Sequence, residues 1–143
     1  MRLAAAHNWP EQHRPWLAEV RVRVGFGPSG EAASERRVIE VPDVFADADL
    51  EDWQDVAREL GFSAIVSLPL QSATAVLGAV TFYFRAWDDF TLERRGLLRL
   101  VADLMVACAL RRKESRGLHY NVDHNRPLDR FRRDTVLTRR DAR

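Results

Sequence analysis

Two apolar runs of strand length, residues 64–70 and 76–84, are separated only by Gln71-Ser72-Ala73-Thr74-Ala75. A parallel connection needs roughly a dozen residues or more, so this link forces the two runs into an antiparallel hairpin. Alternate residues of a strand share a face. Ile65 and Ser67 therefore share one face of the first strand, and Leu77, Ala79, Thr81 and Tyr83 share one face of the second. Those faces mix apolar bulk with a few hydroxyls, which is the make-up of a ligand-pocket wall. The alternative is that Ser67 and Thr81 bond to each other and side chains fill the space.

The flanking segments read as helices. Before the hairpin, Leu50, Trp53, Ala57 and Leu60 recur at helical spacing, with Asp47 or Asp49 placed as the N-cap and Gly61 as the residue that ends the helix. Glu51, Asp52 and Asp55 gather in its first turns, where the helix dipole favours anions. They read as a solvated face rather than an acid/base pair. Phe45 and Trp53 are expected to lie over the hairpin's hydroxyl-bearing face from the helix side, which completes the candidate pocket of Phe45, Trp53, Ile65, Ser67, Thr81 and Tyr83. After the hairpin, Thr91 caps a helix expected over residues 91–113, from Thr91 to Lys113. Its stripe of Leu97, Val101, Leu104 and Cys108 is widened by Leu98, Leu100, Met105, Val106 and Leu110. A helix this apolar is buried on more than one side or meets a partner.

Upstream, residues 1–7 read as a strand, residues 10–17 as a weak helical or turn segment, and residues 19–24 as a half-buried strand with an arginine face, because polar and apolar residues alternate there. Gly25, Gly27 and Gly30 fit the spacing of a dinucleotide-binding loop. That fold needs a crossover helix after the third glycine. Here the next strand, residues 38–41, begins too soon for one, so the glycines read as a tight loop leading into one helical turn over residues 29–36.

A chain of 143 residues makes one domain, or one domain and a tail. No apolar run is long enough to span a membrane, and the first residues lack the apolar core of a signal peptide. The single cysteine, Cys108, cannot form an internal disulfide, so the default compartment is the cytoplasm. Its place on an apolar helical stripe reads as core packing rather than as a redox or attachment site. Residues 1–110 hold 11 arginines and 16 acidic residues, whereas residues 111–143 hold 11 basic and 5 acidic ones. An acidic body thus carries a basic tail. The tail's arginines suit nonspecific phosphate contact, but only Phe131 offers a stacking ring among them, so specific nucleic-acid recognition is not expected. His119 and His124 flank Asp123, a poor ligand set, and no metal site is expected. No nucleophile elbow, zinc-protease or P-loop string is present.

Several short strings occur in order: Gly27-Pro28-Ser29-Gly30-Glu31-Ala32-Ala33, Glu40-Val41-Pro42-Asp43-Val44-Phe45, Glu59-Leu60-Gly61-Phe62-Ser63-Ala64, Leu68-Pro69-Leu70, Val76-Leu77-Gly78-Ala79-Val80, then Phe90-Thr91 and Leu97-Leu98. Together, over residues 1–110, they resemble a GAF domain whose N-terminal elements are clipped. The resemblance implies an α+β fold, an antiparallel sheet flanked by helices and followed by a long C-terminal helix and an irregular basic tail. It implies a non-catalytic sensory or dimerisation module of bacterial signalling proteins, with a small-molecule ligand of unstated identity or a homodimer formed through the helix from Thr91 to Lys113.

The tail carries a second likeness. Arg111-Arg112-Lys113-Glu114-Ser115-Arg116-Gly117-Leu118-His119-Tyr120-Asn121-Val122-Asp123, followed by Arg133-Asp134-Thr135-Val136-Leu137, is similar to the C-terminal end of the L-aspartate oxidases of the succinate dehydrogenase/fumarate reductase flavoprotein family. Residues 111–143 would then be a separate segment. The runner-up function is an FAD-enzyme fragment related to NAD biosynthesis, or a fusion product without retained activity. The departure at Asp123-His124-Asn125 and the lack of a flavin-binding body mean that no catalytic role is carried over.

Overall fold

The computed structural model describes residues 1–3, 5–115 and 123–136. Three strands, β1 (Ile39–Val41), β2 (Ala64–Gln71) and β3 (Val76–Phe84), form an antiparallel sheet in the order β1-β2-β3. The register pairs Ile65 with Tyr83, Ser67 with Thr81 and Leu68 with Val80, and slips once between Leu70 and Gln71 as the hairpin loop begins. Ser72 closes that loop: its N–H donates to the Ala75 carbonyl at 2.8 Å, and its hydroxyl accepts from the Ala75 N–H at 3.1 Å.

Helices cover both faces. Helix α1 (Arg14–Glu19) follows a short 3₁₀ turn, α2 (Gly27–Glu35) packs on all three strands, and α3 (Gln54–Leu60) continues a 3₁₀ turn over Ala48–Trp53. Asp47 caps that turn, its carboxylate accepting from the Asp49 N–H at 3.0 Å. Gly61 ends α3 in the left-handed region, at φ 71°, as its place in the sequence requires. On the opposite face α4 (Leu92–Arg111), capped by Thr91, packs against β2. No helix among the described residues is long and apolar enough to cross a membrane.

The alternation of β2 sets up two cores. Ile65 joins Val41, Val44, Leu50, Ala57 and Phe62 on the side of α3, while Val66 and Leu68 join Phe90 and Ala102 on the side of α4. Every residue from Ala64 to Leu68 is buried, so β2 is the shared wall. At about 25 cal/mol per Å² of apolar area, such a strand is where most of the stabilisation concentrates.

Three expectations are corrected. Among the described residues of 1–7 and 19–24 no strand forms: Arg2 and Arg21 meet at a single bridge, and Glu19 ends α1. Alternating polarity marks a strand only where a sheet edge accepts it, and these residues pair with none. The segment after the glycine loop is a nine-residue helix beginning at Gly27, not one turn. Pro28, pre-set for the first turn, lets the helix start earlier. On α4, the face toward the sheet is Ala102 and Val106 with half-buried Leu98, whereas Leu97, Leu100, Met105 and Leu110 are exposed. A helix apolar all round gives no moment from which to choose the buried side. Just past α4, Glu114 is fully buried. Arg116, His119 and Tyr120 lie outside the described residues.

Candidate functional site

The hydroxyl-bearing face of the hairpin is assembled from three elements. Ser67 on β2 and Thr81 on β3 sit directly opposite each other, and their side-chain oxygens are 2.8 Å apart. Ser29 on α2 extends the pair, 2.7 Å from Thr81. The small residues Gly30, Ala32 and Ala33 are the buried ones on α2 and let the helix come close enough for a serine to reach the sheet. Ser67 is fully buried, so this three-hydroxyl chain supplies the partner that burial demands.

Beside it lies an aromatic belt. Tyr83, opposite Ile65, tilts against Phe62 at 4.7 Å between ring centres and meets Trp9 edge-on at 5.7 Å. Trp9 stacks on Trp16 at 6.3 Å, and Trp16 meets Trp53 at 5.6 Å. The segment bearing Trp9 and Trp16 is held to α3 by Gln12 and His13, which reach Glu59 at 2.7 and 3.1 Å. Ile65, Trp53 and Tyr83 therefore share one cluster, and Ser67 and Thr81 adjoin it along the strands. Phe45 stands apart: it is exposed, with the Arg58 guanidinium 5.2 Å over its ring, and its neighbour Val44 is the buried residue. Ser29, Trp9 and Trp16 were not legible as site residues. The one usable signal was a serine on a helix of small residues.

Burial raises the Tyr83 phenol to about 12. Between pH 10 and 12 an unfolded chain sheds a proton that the folded chain keeps. Stability that is full below pH 10 should therefore fall as pH rises through this window. With Tyr120→Phe leaving Tyr83 as the one tyrosine, the tyrosinate absorbance of folded protein should stay flat until pH approaches 12. A midpoint near 10 in the folded state would show that the ring is open to water.

A second feature lies on the α4 side. Val38, Val66, Leu68, Phe90 and Leu98 line a hole of about 20 Å³, room for roughly one water, walled by the Glu40–Arg95 ion pair. The Arg95 guanidinium also lies 4.4 Å from the Phe90 ring centre. A wider cleft of about 570 Å³ shares Val38, Glu40, Leu68 and Arg99 with that hole and is rimmed by Arg36, Arg37, Gln71 and Asp103. Cys108 is half-buried on α4, and Glu51, Asp52 and Asp55 are exposed, Asp55 pairing with Arg58 at 2.7 Å. Among the described residues, no three potential metal ligands come together.

The chain's relatives fit this architecture. A model of the GAF domain family matches residues 3–108. The chain belongs to the GAF domain family. The free methionine-R-sulfoxide reductase of Thermoplasma acidophilum superposes with a TM-score of 0.50 at 18% identity, over 62% of this chain and 59% of that one, a likeness of fold alone. The GAF match ends in α4, and another begins just before that helix: a model of the fumarate reductase flavoprotein C-terminus matches residues 89–143. The L-aspartate oxidase of Vibrio cholerae is 67% identical over 33 residues, covering 23% of this chain and 6% of that protein. That of Acinetobacter baylyi is 49% identical over 47 residues, 33% of this chain and 8% of the relative. The chain thus spans less than a tenth of the length of these curated relatives.

Proposed function

We propose that this chain is a non-catalytic regulatory module of the GAF type, with residues 1–110 as the sensory body and residues 111–143 as a distinct tail. A small molecule held by Ser67, Thr81, Ile65, Tyr83, Trp53 and Phe45, with Ser29 beside them, would change how α4 sits on the far face. A second copy of the chain against the exposed Leu97, Leu100, Met105 and Leu110 would act on the same helix. The observation that carries the reading is the division of β2: Ile65 packs in the core on the side of α3, Ser67 bonds Thr81, Val66 and Leu68 pack on the side of α4, and all four are buried. Anything that shifts β2 on one side is felt on the other, and a ligand shifts the balance only through its preference for one arrangement.

The test is a thermal-shift screen with cyclic nucleotides, haem and flavins. A ligand present at roughly 100 times its Kd stabilises by about 2.7 kcal/mol, which raises Tm by roughly 8 °C in a chain of this size. Tryptophan fluorescence from the Trp9–Trp16–Trp53 belt should change in step. No shift with any of them, in a protein that is also monomeric, would leave the module without a sensing role.

The 67% identity over 33 residues favours a second reading, in which the C-terminal segment is the end of an L-aspartate oxidase-like flavoprotein. The described residues do not fit a flavin dinucleotide. The glycine loop that would cradle phosphates is closed on itself, the Gly25 N–H donating to the Gly30 carbonyl at 2.8 Å. Purified protein with stoichiometric flavin absorbance would favour this second reading over the first.

A further inference from the structure

None of the six residues of the candidate site lines either of the two cavities described above. The chain itself lies over two of them, since Trp9 meets Tyr83 and Trp16 meets Trp53. Both indoles belong to one segment, residues 8–19, which begins at Asn8, in the left-handed region at φ 58°, and ends with α1. The segment is attached lightly. Neither core cluster includes a residue of it, and among its described side chains only Trp9 and His13 are half-buried. Trp16 is 43% exposed even while it touches Trp53. Besides the rings, Gln12 and His13 tie the segment to α3, both at one oxygen of Glu59, whose side chain is 50% exposed. Exposed ties of that kind are weak, because water competes for both partners. On either side of the segment the chain closes on itself: the Val22 N–H donates to the Met1 carbonyl at 3.0 Å, and Arg2 bridges to Arg21.

We infer that residues 8–19 form a hinged cover, which swings off Tyr83 and Trp53 while the sheet and its two cores stay folded, and that a ligand reaches the candidate site only in the open form. Such regulation rests on the pocket reading proposed above. The paired neck, at residues 1–2 and 21–22, is the fixed point on which the segment turns. A connection held by few buried contacts opens far more readily than the core beneath it. In the closed form, Trp9 takes the surface of Tyr83 that the apolar face of a ligand would need, so cover and ligand exclude each other. A ligand then binds with an affinity reduced by the fraction of the chain that is open. Glu59 is the latch, because its removal frees Gln12 and His13 together.

Hydrogen exchange and tyrosine nitration of the full chain test the cover, and neither needs a ligand. Glu59→Ala removes the latch at an exposed position of α3, where alanine is a good helix former. Amide exchange over residues 9–20 should accelerate by roughly fivefold or more, while β2 exchanges as before. In a Cys108→Ala, Tyr120→Phe background Tyr83 is the one tyrosine. Its nitration by tetranitromethane should rise by the same factor in Glu59→Ala, and by roughly tenfold in Trp9→Ala, which removes the ring that lies against it. Any cyclic nucleotide, haem or flavin that binds should bind Glu59→Ala more tightly by that factor again. Unchanged exchange over residues 9–20 overturns the cover. So does faster exchange spread equally over β2, which would make the segment part of the cooperative body. Faster exchange with unchanged nitration overturns it too, because the segment would then open without covering Tyr83. A ligand that binds both forms equally sinks the cover and leaves the sensing role intact. Faster exchange and nitration with no ligand bound bear out the cover and sink the sensing role alone.

Discussion

Gly30→Ala should destabilise the chain by about 3 kcal/mol, the upper end of what overpacking costs, although alanine is the better helix former by about 1 kcal/mol. Gly30 is the fourth residue of α2, where propensity alone would favour the change. A Cβ there would sit 2.3 Å from the Arg23 carbonyl oxygen and 3.3 Å from the Gly25 nitrogen. Both are backbone atoms, so neither can step aside as a flexible side chain would. Relief requires α2 to move away from the loop, which pulls Ser29 from Thr81 and Ala32 and Ala33 from the sheet. Gly96→Ala, within α4, is the control: a Cβ there meets nothing within 4 Å and should stabilise by about 1 kcal/mol. Urea unfolding of the two variants should give opposite signs. A neutral Gly30→Ala would mean that α2 is not seated on the loop as described.

That pair also shows what could be read in advance. The spacing of Gly25, Gly27 and Gly30 was legible as a turn, because too few residues follow for a crossover helix. The work of each glycine was not. Gly25 and Gly27 supply positive φ, 86° and 62°, whereas Gly30 supplies absence of bulk against a carbonyl seven residues earlier. The hairpin, a cap at Asp47 or Asp49, the Gly61 stop and the start of α4 after Thr91 were legible, since each rests on local chemistry or a short link. The partners were not. Residues 19–24 alternate as a strand should, but strand formation depends on a neighbour, and a period-2 pattern does not say whether a neighbour exists. For the candidate site, the sharing of a face by Ser67 and Thr81 follows from period 2 along each strand. The arrival of Trp9 beside Tyr83 and of Trp16 beside Trp53 depends on contacts between distant parts of the chain, from a segment with no periodicity to announce it. The leucines of α4 failed for the converse reason, since too many positions qualify. The family matches overlap on this same helix, residues 89–108, so its sequence satisfies two patterns at once.

The end of α4 is where the second large effect is expected. Arg112 leaves the helix with an extended backbone, and its guanidinium donates to the Glu114 carboxylate at 2.7 Å, to the Thr135 hydroxyl at 3.1 Å and to the carbonyls of Phe131 and Arg133. The other Glu114 oxygen accepts from the Leu128 N–H at 2.8 Å. Ser115 adds two more ties, to the carbonyls of Arg126 and His124, and Arg111 reaches Val136. One buried carboxylate and one guanidinium thus clasp residues 123–136 to the helix. That segment buries little apolar surface, with Leu128 and Phe131 only half-buried, so it has little else to hold it. Glu114→Ala removes the buried carboxylate and leaves Arg112 with neutral acceptors alone, a change that costs about 3 kcal/mol. The loss should appear as local opening, because neither core cluster of the sheet includes a residue of the clasp. Trypsin cleavage after Arg130, Arg132 and Arg133 should accelerate by roughly 100-fold, about 1.4 kcal/mol corresponding to each factor of ten, where opening and reclosing are faster than cutting. The main thermal transition should move little. Glu114→Gln, which keeps an acceptor for the Leu128 N–H but loses the charge facing Arg112, should fall between the two. If cleavage is unchanged, the clasp does not hold the tail. If the main transition drops by as much as the tail loosens, the tail and the GAF body unfold as one unit, and the division near residue 110 is wrong.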